Sequence, residues 1–234
     1  MQLFVSDQYH ISWSQLTIQE PRIIQQCLRV LRMKSWHTLA LQDKLTRYTL
    51  EIIDYSSSAL ETSIINTQTL TKPKSTSMYV ALPNRRSKAE LIVQKLSEIG
   101  VSDIVFRPAQ RSILRDLPDK RLDRLQSIAL EATEQSRNPQ MPALSFVANL
   151  DKTRMIWVDF LIMAHQEGSS LESLLSLEQR SVSQCGALIG PEWGYSPQEL
   201  ALWWSHSHSL NLGESILRTE TAAIVMGWII RHYF

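Results

Sequence analysis

Leu188-Ile189-Gly190-Pro191-Glu192-Trp193-Gly194-Tyr195-Ser196-Pro197-Gln198-Glu199 runs from an apolar strand through two glycines into a helix start. Ser196, Pro197 and Glu199 fit the N-cap, first and third helical positions. Gly190 and Gly194 permit a positive φ or a close backbone approach, and a strand-to-helix junction leaves backbone N–H groups free. Two readings stand side by side: a well-built turn, and a loop shaped around a ligand. The pattern is neither a P-loop nor G-x-G-x-x-G, so ATP and NAD are unsupported.

Outward from this bend the chain alternates strand and helix. Met78–Leu82, Asp103–Phe106, Asp159–Ala164, Gly186–Ile189 and Ser209–Leu212 read as strands. Ser87-x-x-Glu90 reads as a capping box opening an amphipathic helix that runs to Ile99 and stops at Gly100. Pro118–Ser136 reads as a long helix with Leu122, Leu125, Ile128, Ala129 and Ala132 turned inward. Such alternation predicts a mostly parallel sheet with ligands at the carboxyl ends of its strands. Residues 1–70 differ: Gln2–Val5, Trp36–Leu41, Thr46–Ile53 and Leu60–Asn66 read as strands around one helix, Pro21–Arg32, which predicts a small barrel. Polar 71–77, with Lys72-Pro73-Lys74, is the expected linker to a second domain over 78–234.

The 234 residues include 44% hydrophobic and 20% charged ones, enough for a sizeable core without metals or disulfides. Cys27 and Cys185 belong to no metal-ligand pattern, so no metal is expected, and they fit a reducing compartment. No basic leader precedes an apolar run, and the stretch Ala222–Ile230 is too short for a bilayer, so a cytoplasmic protein without membrane contact is expected. The net charge of +1 is unevenly placed: residues 73–140 carry twelve Lys/Arg against eight Asp/Glu, and residues 141–234 carry five against nine. The middle segment is therefore the candidate for phosphate contacts, although solvated helix faces show similar imbalances.

Two further segments stand out. Leu210-Asn-Leu-Gly-Glu-Ser-Ile-Leu-Arg-Thr-Glu-Thr-Ala-Ala223 again takes a strand into a glycine, Gly213, and on to a helix near Thr219. Arg218 at that helix's amino end opposes the helix dipole. It calls either for an ion pair with Glu220 or Glu192, or for an anionic ligand. Ile128-Ala-Leu-Glu-Ala-Thr-Glu-Gln-Ser-Arg-Asn-Pro-Gln-Met-Pro142 places Glu131 and Gln135 on one helix face, with Arg137 just beyond. On its own this reads as a solvated helix end.

Together, G-P-E-x-G, Ile216-Leu217-Arg218-Thr219-Glu220-Thr221-Ala222, E-A-x-E-Q-S-x-R, Gln94–Val101, Arg111-Ser112 and Val30-Leu-Arg-Met-Lys34 resemble the ribosomal RNA small subunit methyltransferase E family of the SPOUT superfamily. Trp193 departs from it, standing where glycine is usual, and either stacks on adenine or crowds the loop. The N-terminal element lacks the usual histidine before Val30-Leu-Arg, and Gln110 replaces a glutamate.

The resemblance implies a PUA-like barrel joined to a SPOUT α/β domain with a C-terminal trefoil knot. It also implies a homodimer for which Ile224, Trp228 and Ile229 are candidate interface residues, and S-adenosyl-L-methionine-dependent methylation of N3 of a uracil in 16S ribosomal RNA, within the small ribosomal subunit. Its cofactor loops correspond to Met163, Ala164 and His165, to Gly190, Pro191, Glu192, Trp193 and Gly194, and to Leu212, Gly213, Ile216 and Leu217, with Thr221 nearby. Arg218 is the expected charge-stabilising group, and Glu131 and Glu220 are the carboxylates nominated for proton transfer. His165 is either a proton shuttle or a wall of the cofactor loop. Arg32, Lys34, Arg85, Arg86, Arg107, Arg111, Gln135 and Arg137 are the expected RNA contacts, with Lys88 and Arg115 in the same phosphate-holding segment. Rival readings are another SPOUT RNA methyltransferase, acting on a ribose 2′-hydroxyl or another base, and a non-catalytic RNA-binding or ribosome-assembly factor.

Overall fold

The computed structural model describes residues 1–71, 73–148, 158–177 and 182–234; Lys72 of the expected linker lies outside the described residues. The chain forms two compact units. The first is Met1–Lys72 with Thr133–Gln140, and the second is Pro73–Ala132 with Met141–Phe234.

The first unit is a six-stranded sheet made of β1 (Gln2–Val5), β2 (Tyr9–Ser12), β3 (Gln15–Ile18), β4 (Thr38–Gln42), β5 (Thr46–Tyr55) and β6 (Leu60–Thr69). Its order is β1-β4-β5-β6-β3-β2. Only β1 and β4 pair in parallel. On β5, Leu50 and Ile52 face the core and Glu51 faces outward, the alternation a one-sided sheet requires. Phe4 from one end of the sheet and Tyr9 from the other pack on the same core as Leu16, Leu39, Leu50 and Leu60.

Two expectations need correction here. The helix is α1 (Pro21–Gln25) followed by a π-helical turn, Gln26–Val30, so it stops short of Arg32, whose φ is 51°. The β2–β3 hairpin was not expected. Its tip, Trp13, has a positive φ and is 98% exposed. Residues 133–140 belong to this unit through named bonds: the Glu134 carboxylate accepts from Val5 N at 2.9 Å and from Arg22 at 3.0 Å, and Gln42 donates to Asn138 O at 2.9 Å.

The second unit holds a six-stranded sheet in which every pairing is parallel. Its strands are β7 (Ser75–Ala81), β8 (Asp103–Arg107), β9 (Ala143–Phe146), β10 (Phe160–Ser169), β11 (Gln184–Ile189) and β12 (His208–Leu210), in the order β12-β10-β11-β7-β8-β9. Its helices are α2 (Arg86–Ile99), α3 (Asp119–Ser136, whose last residues belong to the first unit), α4 (Leu171–Leu177), α5 (Pro197–Trp204) and α6 (Thr219–Tyr233). Strand β7 begins three residues before the expected start, and β9 was not expected.

Helix α2 ends as expected on Gly100, at φ 88°. Its start differs: Arg85 is the N-cap without a side-chain bond, so Ser87 lies inside the first turn and forms no capping box. The box expected for α5 is present, Ser196 and Glu199 bonding reciprocally. Of the residues nominated for an interface, Ile229 is buried in the core, Ile224 is half-buried, and Trp228 is exposed and stacked on His232. Among the described residues no helix is long and apolar enough to cross a membrane.

Candidate active site

Three segments converge at the carboxyl side of β10, β11 and β12. The first is a bulge within β10: Ala164 and Ser169 both pair with Leu210, so the intervening residues leave the ladder. A Cβ on Gly168 would lie 2.6 Å from the Leu210 backbone, so only glycine brings the bulge back against β12. The second segment is the loop after β11, Gly190 to Tyr195. The third follows β12, where Asn211 fastens its own turn to the β10 bulge. Its side chain donates to Gln166 O at 2.8 Å and accepts from Gly213 N at 2.8 Å, while its own N–H bonds Ser169 O. Gly213 (φ 125°) and Gly194 (φ 69°) take left-handed bends with open space beside them.

These segments line a cleft of about 970 Å³ that includes His165, Gly190, Trp193, Leu217, Arg218 and Thr219. A contiguous recess is walled by Ala164, His165, Leu212, Gly213, Ile216 and Leu217. A space of this size with a mixed apolar and polar wall suits a nucleoside-sized cofactor. The two glycine bends therefore line adjoining hollows that share the walls His165, Ile216 and Leu217. Trp193 is 71% exposed, so the indole rims the cleft without filling it, and its carbonyl is held by Arg111 at 2.9 Å.

The electrostatics turn on Lys88, expected to hold RNA phosphate and placed by the fold between two carboxylates. Its ammonium lies 3.1 Å from Glu192 and 3.3 Å from Glu220. The Glu220 approach lacks hydrogen-bond geometry, so Oε2 of this carboxylate stays buried without a donor. For Glu192, burial works against the charge, but its own backbone amide, Lys88 and the Asn84 amide outweigh it and hold the carboxyl below its ordinary value. Both carboxylates are thus committed to Lys88. Arg218, exposed at the N-cap of α6, has no ion pair among the described residues, which removes the structural pairing considered for it.

Several nominated residues lie elsewhere. Met163 is buried among Tyr79, Leu188 and Trp203, because its place on β10 points it into a core between sheet and helix. Glu131 lines a separate groove between α2 and α3, not the cleft. Glu220 sits behind Lys88, 9% exposed, and is not a wall of the cleft. Thr221 is exposed but lines neither the cleft nor the recess. Arg107 is 3% exposed and paired with Glu199 at 3.3 Å, so it is no surface cation. Arg32, Lys34, Arg85, Arg86, Arg111 and Gln135 are exposed. Arg137 is also exposed, with its guanidinium donating to Met1 O at 2.9 Å.

Residues 71–231 match the family described as the RNA methyltransferase domain. This chain belongs to the RNA methyltransferase family. Among curated relatives, ribosomal RNA small subunit methyltransferase E of Rickettsia conorii is 28% identical over 160 residues, which is 66% of this chain and 64% of that protein, just under two thirds of its length. Ribosomal RNA small subunit methyltransferase E 2 of Borreliella burgdorferi is 25% identical over 232 residues, 96% of this chain and 94% of the relative. Among solved structures, ribosomal RNA small subunit methyltransferase E of Neisseria gonorrhoeae, bound to S-adenosyl methionine, superposes with a TM-score of 0.79 at 23% identity, covering 97% of this chain and 95% of the other. At that identity the superposition speaks for the fold. The carboxylate partners of Lys88 and the role of Asn211 escape a reading of the sequence for different reasons. Lys88 meets its carboxylates only across more than a hundred residues of chain, whereas an Asn two residues before a loop glycine is an Asx-turn signal that was there to be read.

Proposed function

We propose that this chain transfers a methyl group from S-adenosyl-L-methionine to N3 of a uracil in 16S ribosomal RNA. The observation that carries the reading is the pair of adjoining hollows lined by the two glycine bends, with Arg218 unpaired at the larger one. The residues present fit the cofactor. Lys88, Glu192 and Glu220 together carry one net negative charge beside the cleft, a complement to a cationic donor, and Gly194 and Gly213 keep backbone close to the two hollows. Ala164, Leu212, Ile216 and Leu217 supply apolar walls for an adenine, and the backbone of Gly190–Gly194 supplies polar edges. The bound cofactor supplies an electrophilic methyl on a sulfonium, which leaves as a neutral thioether.

N3 must give up its proton, which passes to solvent water at the open cleft because neither Glu131 nor Glu220 lines it. The negative charge developing over N3, O2 and O4 needs a donor. Arg218 meets that need at the mouth of the cleft, where no carboxylate competes for it. Lys88 fixes Glu192 and Glu220 and so spares Arg218 for the substrate. The reading extends to a C-terminal trefoil knot, to residues 1–70 acting as a PUA-like RNA-binding barrel ahead of a 71–77 linker and a 78–234 methyltransferase domain, and to a homodimer working in the cytoplasm on the small ribosomal subunit. Support for the barrel is the single core reached by strands from both ends of the first sheet. Exposed Arg32, Lys34, Arg85 and Arg111 are the phosphate contacts of this reading.

Arg218→Ala tests it. Methyl incorporation into 16S ribosomal RNA from a strain lacking the enzyme, read by mass spectrometry, should vanish, while calorimetric affinity for S-adenosyl-L-methionine should persist. Wild-type turnover by this variant would remove Arg218 from the reaction. Failure of the wild-type protein to bind the cofactor would remove the reading itself.

A further inference from the structure

Outside the cleft, the second unit carries a groove of about 1020 Å³ between the start of α2 and α3. Its rim holds Arg86, Lys120, Arg121 and Arg124 against only Glu90 and Glu131, and its floor includes Ala89 and Leu125. Arg124 is engaged with Glu90 at 2.6 Å. Arg86, Lys120 and Arg121 line the same groove as this pair. Neither Arg86, Lys120 nor Arg121 has a carboxylate at ion-pair distance among the described residues.

The placement is costly to the fold. Arg86 opens α2 with no acidic residue in the first turn and so opposes its dipole, while Lys120 and Arg121 stand in the first turn of α3, where Asp119 offsets only one of the two cations. Lys120 and Arg124 also repel at i,i+4 spacing. A polyanion laid in the groove relieves each of these repulsions at once. The groove is also next to the chemistry. Lys88 lines the cleft while Arg86, Ala89 and Glu90 line the groove, so one turn of α2, about 5.4 Å of rise, has the cleft on one side and the groove on the other.

We infer that the α2–α3 groove is a phosphate-backbone site, in which Arg86, Lys120 and Arg121 hold the RNA strand next to the nucleotide presented to the cleft. The inference rests on the RNA methyltransferase reading above and adds a second site to it. The groove reads no sequence; it fixes register, as phosphate contacts do.

The test is the combined variant Arg86→Gln, Lys120→Gln, Arg121→Gln in the full chain, with Lys95→Gln as a single-charge control. Lys95 pairs with Glu98 and lines neither site. Binding of the labelled protein to small ribosomal subunits from a strain lacking the enzyme is followed by anisotropy across a salt series. The triple variant should bind more weakly, with the slope of log affinity against log salt reduced by about 0.7–0.9 for each phosphate that is no longer neutralised. KM for RNA should rise with kcat retained, and calorimetric affinity for S-adenosyl-L-methionine should match wild type, which also certifies folding. A triple variant with wild-type affinity and slope overturns the groove alone, as does an equal loss in the Lys95→Gln control. A wild-type protein that ignores RNA overturns the groove together with the reading on which it rests.

Discussion

At the scale of single residues, Arg107 shows how a charge that looks like an RNA contact becomes a fixture of the site. It is the last residue of β8, and both Phe106 and Arg107 are buried, because this strand is covered on both faces. Its Nη1 lies 3.3 Å from Glu199, and the guanidinium stands 6.0 Å from the centre of the Tyr195 ring. Glu199 meanwhile closes the capping box of α5 and accepts from Gln110 N, so it ties the loop after β8 to the loop that carries Gly190 and Gly194. Removing the cation leaves a buried carboxylate unpaired. Arg107→Met should therefore cost about 3–5 kcal/mol in chemical denaturation. The double variant Arg107→Met, Glu199→Gln should recover part of that loss, since it removes the unpaired charge and the amide oxygen can still accept from one of the two amides, Ser196 N or Gln110 N, that bond different oxygens of the carboxylate. Equal losses in the single and double variants would show that the ion pair is not what Arg107 contributes.

At the scale of elements, the β4–β5 turn makes the first unit's stability depend on acid. Asp43 accepts from Leu45 N and Thr46 N at 2.7 Å each and from the Tyr9 hydroxyl. Burial works against its charge, yet these bonds outweigh burial and hold the carboxyl below its ordinary value. A carboxyl depressed in the folded state contributes stability above the unfolded value of about 4 and loses it as pH falls through the folded value. Asp43→Asn should thus flatten the loss of stability below about pH 4, read as denaturation midpoint against pH. An unchanged acid limb would acquit the turn.

The sequence showed this strand pair because Tyr48, Leu50 and Ile52 alternate with polar neighbours. It did not show β2 and β3, which are four residues each and turn at Trp13-Ser14 without the glycine or asparagine that announces a hairpin. The same difference governs the site. Gly190, Gly194 and Gly213 mark their bends in the sequence, while the β10 bulge and the Lys88 bridge exist only through partners distant in the chain.

At the scale of the molecule, the chain's division between its two units does not follow the order of its residues. Thr133–Gln140 belongs to the first unit, although the chain on either side of it belongs to the second. Read as sequence, this segment is the end of one amphipathic helix, and nothing local separates Ala132 from Thr133. What assigns it is Glu134, 5% exposed, receiving Val5 N and the Arg22 guanidinium. Every residue that lines the cleft, by contrast, belongs to the second unit. The two sets of bonds should therefore be separable by mutation. Glu134→Ala strips acceptors from a backbone amide and from a half-buried guanidinium that keeps Glu20 and the Val5 carbonyl, a change worth about 1–3 kcal/mol. Thermal denaturation should show that loss, while calorimetric affinity for S-adenosyl-L-methionine at a temperature well below the transition should equal wild type. A matching fall in cofactor affinity would mean that the cleft depends on the first unit's bonds, and would refute its assignment to the second unit alone.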